Sequence, residues 1–284
     1  MQLSVANGMI FVQSLSSFSI SVTHPVLQRV ESRVPCEWAI VWPESECRII
    51  GASKSVVSNG RRREGRERKV TFVKVAIIGA SGFIGSYVRD EALARGHQVT
   101  AIVRHPEKIT VQDPRLNVVK ADILEGRLDE LVKGHDAVIS GYSAGRSSSR
   151  VYDEQIEGYK AIISAVKKSG IKRLLVVGGA STLEVSPGVQ LIDTMSPEQI
   201  TQGMLATREM LYMLRKEKEL EWTFLSPAAT IAPGERTGHY RVGKDELVKN
   251  KEGESKVSTR DYAVAMLDEL ENPQHIRERF TVAY

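Results

Sequence analysis

The stretch Val73-Lys74-Val75-Ala76-Ile77-Ile78-Gly79-Ala80-Ser81-Gly82-Phe83-Ile84-Gly85 decides how this chain is read. Its first six residues form a β-branched, apolar run of the kind that makes a strand buried on both faces. Glycines then fall at 79, 82 and 85. An amphipathic pattern begins here, with Ile84, Val88 and Leu93 spaced for the inner face of a helix over 83–95 and Gly96 as its stop. Three glycines at this spacing are weak evidence alone, but between a strand and a helix they have a mechanism. Gly79 permits the tight turn, Gly82 removes a side chain where a pyrophosphate must approach the backbone, and Gly85 lets helix and strand pack closely. Ser81, Phe83 and Ile84 complete the loop, and the helix's first amides and its dipole stabilise phosphate charge. No GK[ST] triplet follows, so the loop is not of the ATP-binding type.

The same alternation continues beyond Gly96. Strands are predicted over 97–103, 116–119, 137–140, 173–177, 222–225 and 280–283. Helices are predicted over 125–133, 152–168, 197–217 and 259–270. Strand and helix in alternation imply an α/β fold, a doubly wound parallel sheet with both faces covered. The domain is expected to span 73–284, with a short C-terminal elaboration after Pro227 for a substrate.

Three further segments bear on the dinucleotide. The second strand runs into Val103-Arg104-His105-Pro106-Glu107-Lys108. An acid at this place would accept hydrogen bonds from ribose hydroxyls. Arg104 stands there instead, with Lys108 one turn on, and a guanidinium suits a 2′-phosphate. NADP(H) is therefore expected in preference to NAD(H). Asp122 and Ile123, after the third strand, are candidates for the adenine, with a turn aspartate as the plain alternative. Gly141 and Tyr142, after the fourth, would face the middle of the cofactor.

Residues 1–72 differ in kind from the rest and read as an extension. The chain has 284 residues and a formal charge of +4. Residues 1–73 carry 10 Lys and Arg against 6 Glu and no Asp, which leaves 29 charges of each sign over 74–284. A neutral domain has no electrostatic reason to bind nucleic acid. No apolar run approaches the length of a membrane span. Both cysteines, Cys36 and Cys47, lie in the extension without a histidine pair, so no metal site is expected, and a thiol-free domain suits the cytoplasm. The serine-rich, acid-free residues 1–30 allow an organellar targeting reading. The basic run 61–69 reads as a solvated linker. A natural start near Val73 is a third reading of this region.

The motifs GASGFIG (79–85), VRHPEK (103–108), ADIL (121–124), GHDAVIS (134–140), LLVVGGAS (174–181), EWTFLSPA (221–228) and VSTRDYAVAMLDELE (257–271) together resemble the atypical short-chain dehydrogenase/reductase superfamily. The likeness is greatest to its NADH-flavin-reductase group, near biliverdin reductase B and nitrogen-metabolite-repressor-like proteins. The resemblance implies a Rossmann domain binding NADP(H), with substrate at the carboxyl ends of the strands. It also marks a departure. The superfamily's Tyr-x-x-x-Lys dyad would fall near Ile200 and Met204, neither of which does acid–base work. Tyr212 and Lys216 satisfy the spacing three turns too late. Ser181 matches the superfamily's hydroxyl position and is the candidate catalytic residue. His239 and Tyr240, in the segment 237–246 after Pro227, are the remaining proton donors.

Without the dyad, reduction of a simple carbonyl lacks its acid. A flavin or quinone-like acceptor takes hydride at a ring atom and a proton from solvent. The expected activity is thus an NAD(P)H-dependent, flavin-reductase-like oxidoreductase acting on a small conjugated acceptor. The alternatives are a non-catalytic NADP(H)-binding redox sensor and a sugar-nucleotide epimerase or dehydratase. The latter needs a larger domain than the 57 residues after Pro227 provide.

Overall fold

The computed structural model describes residues 3–6, 9–12, 72–145 and 149–284. The chain divides into two units, Met1–Arg66 and Glu67–Tyr284. In the first, β1 (Leu3–Ala6) and β2 (Met9–Val12) pair antiparallel, a pairing the sequence did not announce. Cys36, Cys47, the basic run 61–69 and most of the targeting reading fall outside the described residues.

The second unit runs β3 (Lys74–Ile78), α1 (Phe83–Ala94), β4 (Gln98–Val103), β5 (Leu116–Lys120), α2 (Leu128–Val132), β6 (Ala137–Ser140), α3 (Val151–Ser169) and β7 (Arg173–Val177). A small hairpin follows, β8 (Glu184–Ser186) with β9 (Val189–Gln190), and then α4 (Gln202–Lys216) and β10 (Glu221–Ser226). The short strands β11 (Thr230–Ala232), β12 (Arg241–Gly243) and β13 (Lys256–Ser258) precede α5 (Thr259–Glu271) and β14 (Glu278–Ala283).

Eight strands make one sheet in the order β12-β14-β10-β7-β6-β3-β4-β5. All neighbours are parallel except β12, which pairs antiparallel to β14 along one edge. The α/β doubly wound expectation is met. On one face Val75, Ile77, Val99, Ile139 and Leu225 pack with α1 and α5. On the other, Ala76, Ile78, Val138, Leu174 and Phe224 pack with residues of α2, α3 and α4. Burying each such aliphatic or aromatic side chain contributes about 1.5–3 kcal/mol. Tyr262 of α5 is fully buried, and its hydroxyl donates to the carbonyl of Leu225, 2.7 Å away, tying that helix to β10.

Two helices begin later than their sequence patterns suggest. Gly126 sits at φ +84°, in left-handed backbone that cannot continue a helix, so α2 starts at Leu128 rather than 125. Thr201 caps α4, its hydroxyl accepting from the amide of Met204 at 3.2 Å, so 197–200 form a turn outside the helix. Strand order reverses between β3 and β6. The glycine loop leaves the first of these, and Gly141 follows the second.

Candidate functional site

The site is built where the chain leaves β3 and β6 at their carboxyl ends, the crevice in which open α/β sheets hold ligands. Gly79 takes φ +78°, and a Cβ there would stand 2.6 Å from the Gly141 carbonyl oxygen. The two loops therefore touch through glycine backbones. A Cβ on Gly85 would stand 2.2 Å from the Gly79 carbonyl oxygen, so this position serves helix–strand packing. Gly82 differs. A Cβ there would meet only the Gly79 oxygen, at 3.2 Å, so protein packing does not demand a glycine, and the space in front of it is open.

Helix α1 starts at this open point. Gly82 is its N-cap, no side chain caps it, and its first turn has no acid. The helices α4 and α5, by contrast, are capped by Thr201 and Ser258. The first amides of α1 and the positive end of its dipole thus face the opening, as an anion requires. Buried Arg89 reaches back from the same helix to donate to the Ala80 carbonyl at 3.1 Å, holding the loop from behind. A lone arginine within an apolar helix pattern gave no hint of this. Phe83 is exposed at the mouth, its ring edge-on to Tyr87. Ser81 and Ile84 are partly exposed beside it.

Arg104 lies exposed at the end of β4 and makes no ion pair among the described residues. Lys108 is likewise exposed, in the short turn Pro106–Lys108. Lys120, which sequence reasoning passed over, ends β5 in register with Val103 and adds a third cation near this corner. Asp122 places one carboxylate oxygen 3.0 Å from the Leu124 amide, in the turn arrangement, while Ile123 is buried in the core on the α2–α3 side. The backbone of Tyr142 borders the glycine loop, but its ring lies over Gly158 of α3 and edge-on to Tyr159. Its hydroxyl donates to the Glu154 carbonyl at 3.2 Å. Burial pushes that phenol up to about 12, against the pull of Arg104.

These features fit a dinucleotide: an uncapped helix start, an open glycine before it, and unpaired cations beyond the second strand. Independent comparison agrees, since a family model described as NAD(P)H-binding matches residues 79–273. The chain belongs to this NAD(P)H-binding family. Within it, the protein YwnB of Bacillus subtilis is 41% identical over 214 residues, which are 74% of this chain and 98% of that relative. A crystal structure of a "putative epimerase" from Bacteroides thetaiotaomicron is 49% identical with a TM-score of 0.70, covering 75% of this chain and 98% of that one. A "putative NADH-flavin reductase" from Streptococcus pneumoniae is 34% identical with a TM-score of 0.65, covering 74% and 99%. The expected likeness to the NADH-flavin-reductase group is met by the last of these structures.

The remaining candidate residues lie on and around β7, β10 and β14. Ser181 sits in the tight turn Ala180–Thr182 after β7, is 6% exposed, and makes no hydrogen bond among the described residues. Ser226, which ends β10, and its register partner Thr281 within β14 both carry buried hydroxyls without a partner. Neither stood out in the sequence, because only the strand register brings them together. Tyr240 is committed elsewhere. Its hydroxyl donates to Asp268 at 2.6 Å, and burial followed by that carboxylate pushes its pKa strongly upward. His239 is exposed. The segment that holds both is fastened to α5 and α1, with the amides of Thr237 and Gly238 on Asp261 and Arg236 on Glu91. The buried His97 and the partly buried His135 serve structural bonds, to Val73 and Glu271 and to Val132 and Thr100. Among the described residues no cluster could hold a metal, and no helix is long and apolar enough to cross a membrane.

Proposed function

We propose that the protein is an NADP(H)-dependent oxidoreductase that passes hydride to a small conjugated acceptor, a flavin or quinone-like ring. The observation that carries this reading is the pairing of an intact dinucleotide cradle with the absence of an acid–base dyad. Ile200 lies in the turn before α4, and Met204 in its first turn. Neither can protonate an alkoxide.

Bound NADPH would supply the hydride. The chain's own residues do the rest. The α1 amides and Gly82 would hold the pyrophosphate, Arg104 the 2′-phosphate, with Asp122, Ile123 and the Gly141–Tyr142 backbone along the adenine and ribose. Ser181, Ser226 and Thr281 would offer unengaged hydroxyls to the acceptor's polar edge, fixing its ring against the nicotinamide. A ring acceptor takes its proton from water, so no side chain need titrate.

The likeness to a flavin-reductase-described structure supports this reading. The epimerase description of another relative fits less well here, since sugar-nucleotide chemistry asks for the tyrosine and lysine that the start of α4 lacks. A sensor that binds NADPH without turnover is favoured by the same missing dyad. NADPH oxidation measured against FMN, FAD, riboflavin and simple quinones separates them. Turnover with at least one acceptor is expected. Tight binding of NADPH with no turnover on the whole panel would make the sensor reading correct.

A further inference from the structure

A second cavity lies away from the glycine loop, on the face of the sheet covered by α4. It has a volume of about 250 Å³ and opens between the end of α4 and the β12–β14 edge. Four strand steps separate β14 from β3, roughly 19 Å at the usual inter-strand spacing. The cavity is therefore no part of the dinucleotide crevice, and a ligand could occupy it whether or not the protein transfers hydride.

Its lining is unbalanced in charge. Arg215, Lys244, Arg277 and Arg279 face two carboxylates, Asp245 and Glu278. Asp245 takes both Arg215, at 3.1 Å, and Arg279, while Glu278 stands 3.8 Å from Lys244. Arg277 is left over. Its Nε donates to the Leu220 carbonyl at 3.0 Å, and its terminal nitrogens have no partner among the described residues.

Arg277 is also held in an unusual backbone. At φ +60° it is the one non-glycine residue in left-handed backbone among the described residues. Glycine or asparagine would suit this turn at little cost. An arginine stands here instead, exposed, with its amide bonded to the Trp222 carbonyl at 2.6 Å and its backbone in a conformation that costs a non-glycine residue free energy.

The floor of the cavity supplies an independent sign. Trp222 is 3% exposed, lines the cavity, and its indole N–H has no acceptor. A buried donor without a partner is costly and rare in native proteins. Here an unsatisfied donor, an unpaired guanidinium and an excess of positive charge share one small space.

We propose that this cavity is a second ligand site for a small organic oxyanion, a phosphate monoester or carboxylate, received by the Arg277 guanidinium and the Trp222 indole N–H. The volume is that of about eight waters, enough for an oxyanion with a short carbon body and far too little for a dinucleotide. Lys244, at the rim, adds attraction without fixed geometry.

The indole N–H resonance of Trp222 in the nitrogen-15-labelled full chain reads the site directly, with Trp222→Phe assigning it. Glycerol phosphate, citrate and inorganic phosphate are titrated at constant ionic strength, with sodium chloride as the control. A saturable shift is expected with at least one organic anion, at lower concentration than with inorganic phosphate. Arg277→Gly should weaken that response at least tenfold while the melting temperature holds or rises, because glycine relieves the left-handed backbone. Lys244→Gln should weaken it less and leave the fold unchanged. Gly82→Ala, which alters the dinucleotide loop, should leave the response intact. A resonance that stays fixed, or that drifts equally with every salt, overturns the proposal. So does an Arg277→Gly protein that responds like the parent.

Discussion

Gly85 lies directly beneath the carbonyl of Gly79: a Cβ on the helical residue would stand 2.2 Å from that oxygen and 2.9 Å from its carbon. Both contacts are backbone, so nothing can swing aside. Gly85→Ala must push α1 away from β3, and a loss of about 1–3 kcal/mol in stability is expected. Gly82→Ala is the informative contrast. Its backbone, at φ −78°, accepts alanine, and the added methyl meets only one oxygen at 3.2 Å. That variant should melt within a few degrees of the parent yet lose at least tenfold in NADPH affinity, or about 1.4 kcal/mol. Thermal melts and calorimetry on the two proteins check the separation. Equal NADPH affinity in parent and Gly82→Ala would remove the pyrophosphate from this loop.

Arg104 should set the choice between the two pyridine coenzymes. It is exposed, ends β4, and has no carboxylate holding it among the described residues. A charge-assisted bond to a 2′-phosphate is worth roughly 1.5–3 kcal/mol, so one contact suffices for a tenfold preference or more. Arg104→Asp is expected to lower NADPH affinity tenfold or more and to leave NADH affinity equal or improved. The ratio of the two dissociation constants is the measurement. An unchanged ratio would move the phosphate contact to Lys108 or Lys120.

The parts of this architecture that could be read from sequence are those where one local pattern carries the whole signal. Strands buried on both faces, such as Lys74–Ile78 and Arg173–Val177, are apolar runs after one leading charged residue, a local pattern that needs no tertiary knowledge. The glycine loop announces itself for the same reason. Strands of two or three residues, such as Thr230–Ala232 beside Lys256–Ser258, have no period to detect and exist only because the chain returns to pair them. Side chains whose meaning depends on register or long-range approach were hidden too. Ser226 and Thr281 are unremarkable until β10 and β14 lie side by side. Arg277 is one arginine among many until its φ is known. Tyr240 looked like a proton donor because sequence does not show the Asp268 carboxylate waiting 28 residues on.

The unengaged hydroxyls of Ser181, Ser226 and Thr281 should behave unlike ordinary core groups. Removing a bonded buried hydroxyl strands its partner and costs about 1–3 kcal/mol. Ser181 has no such partner, and Ser226 is buried without one. Ser226→Ala is therefore expected to leave stability unchanged or raise it by up to about 1 kcal/mol. If these hydroxyls meet the acceptor, Ser181→Ala and Ser226→Ala should each raise its KM severalfold while the NADPH dissociation constant stays put. A loss of NADPH affinity instead would assign the hydroxyls to the cofactor.

Glu91 gives the domain a defined acid limit. This 7%-exposed carboxylate on α1 receives two bonds from Arg236, at 2.7 and 2.8 Å, and one from Arg95 at 2.8 Å. Burial alone would raise its pKa, but the bonds from Arg236 and then Arg95 outweigh burial and leave it below the ordinary 4.5. A carboxyl with a depressed folded-state pKa stabilises the fold fully above the unfolded value. It loses that contribution as pH falls through the lower, folded value. The parent's melting temperature should therefore decline on acidification below about 4.5, with Glu91 among the groups responsible. Glu91→Gln has no such proton to gain. At neutral pH it should cost about 3 kcal/mol, the low end for breaking a buried pair because Arg236 is half in water. Toward acid the gap between the two proteins should close, since the parent's own Glu91 becomes neutral there. Melting temperatures of both proteins across the acid range test this. A gap that stays constant would show that Glu91 stabilises by shape rather than by charge.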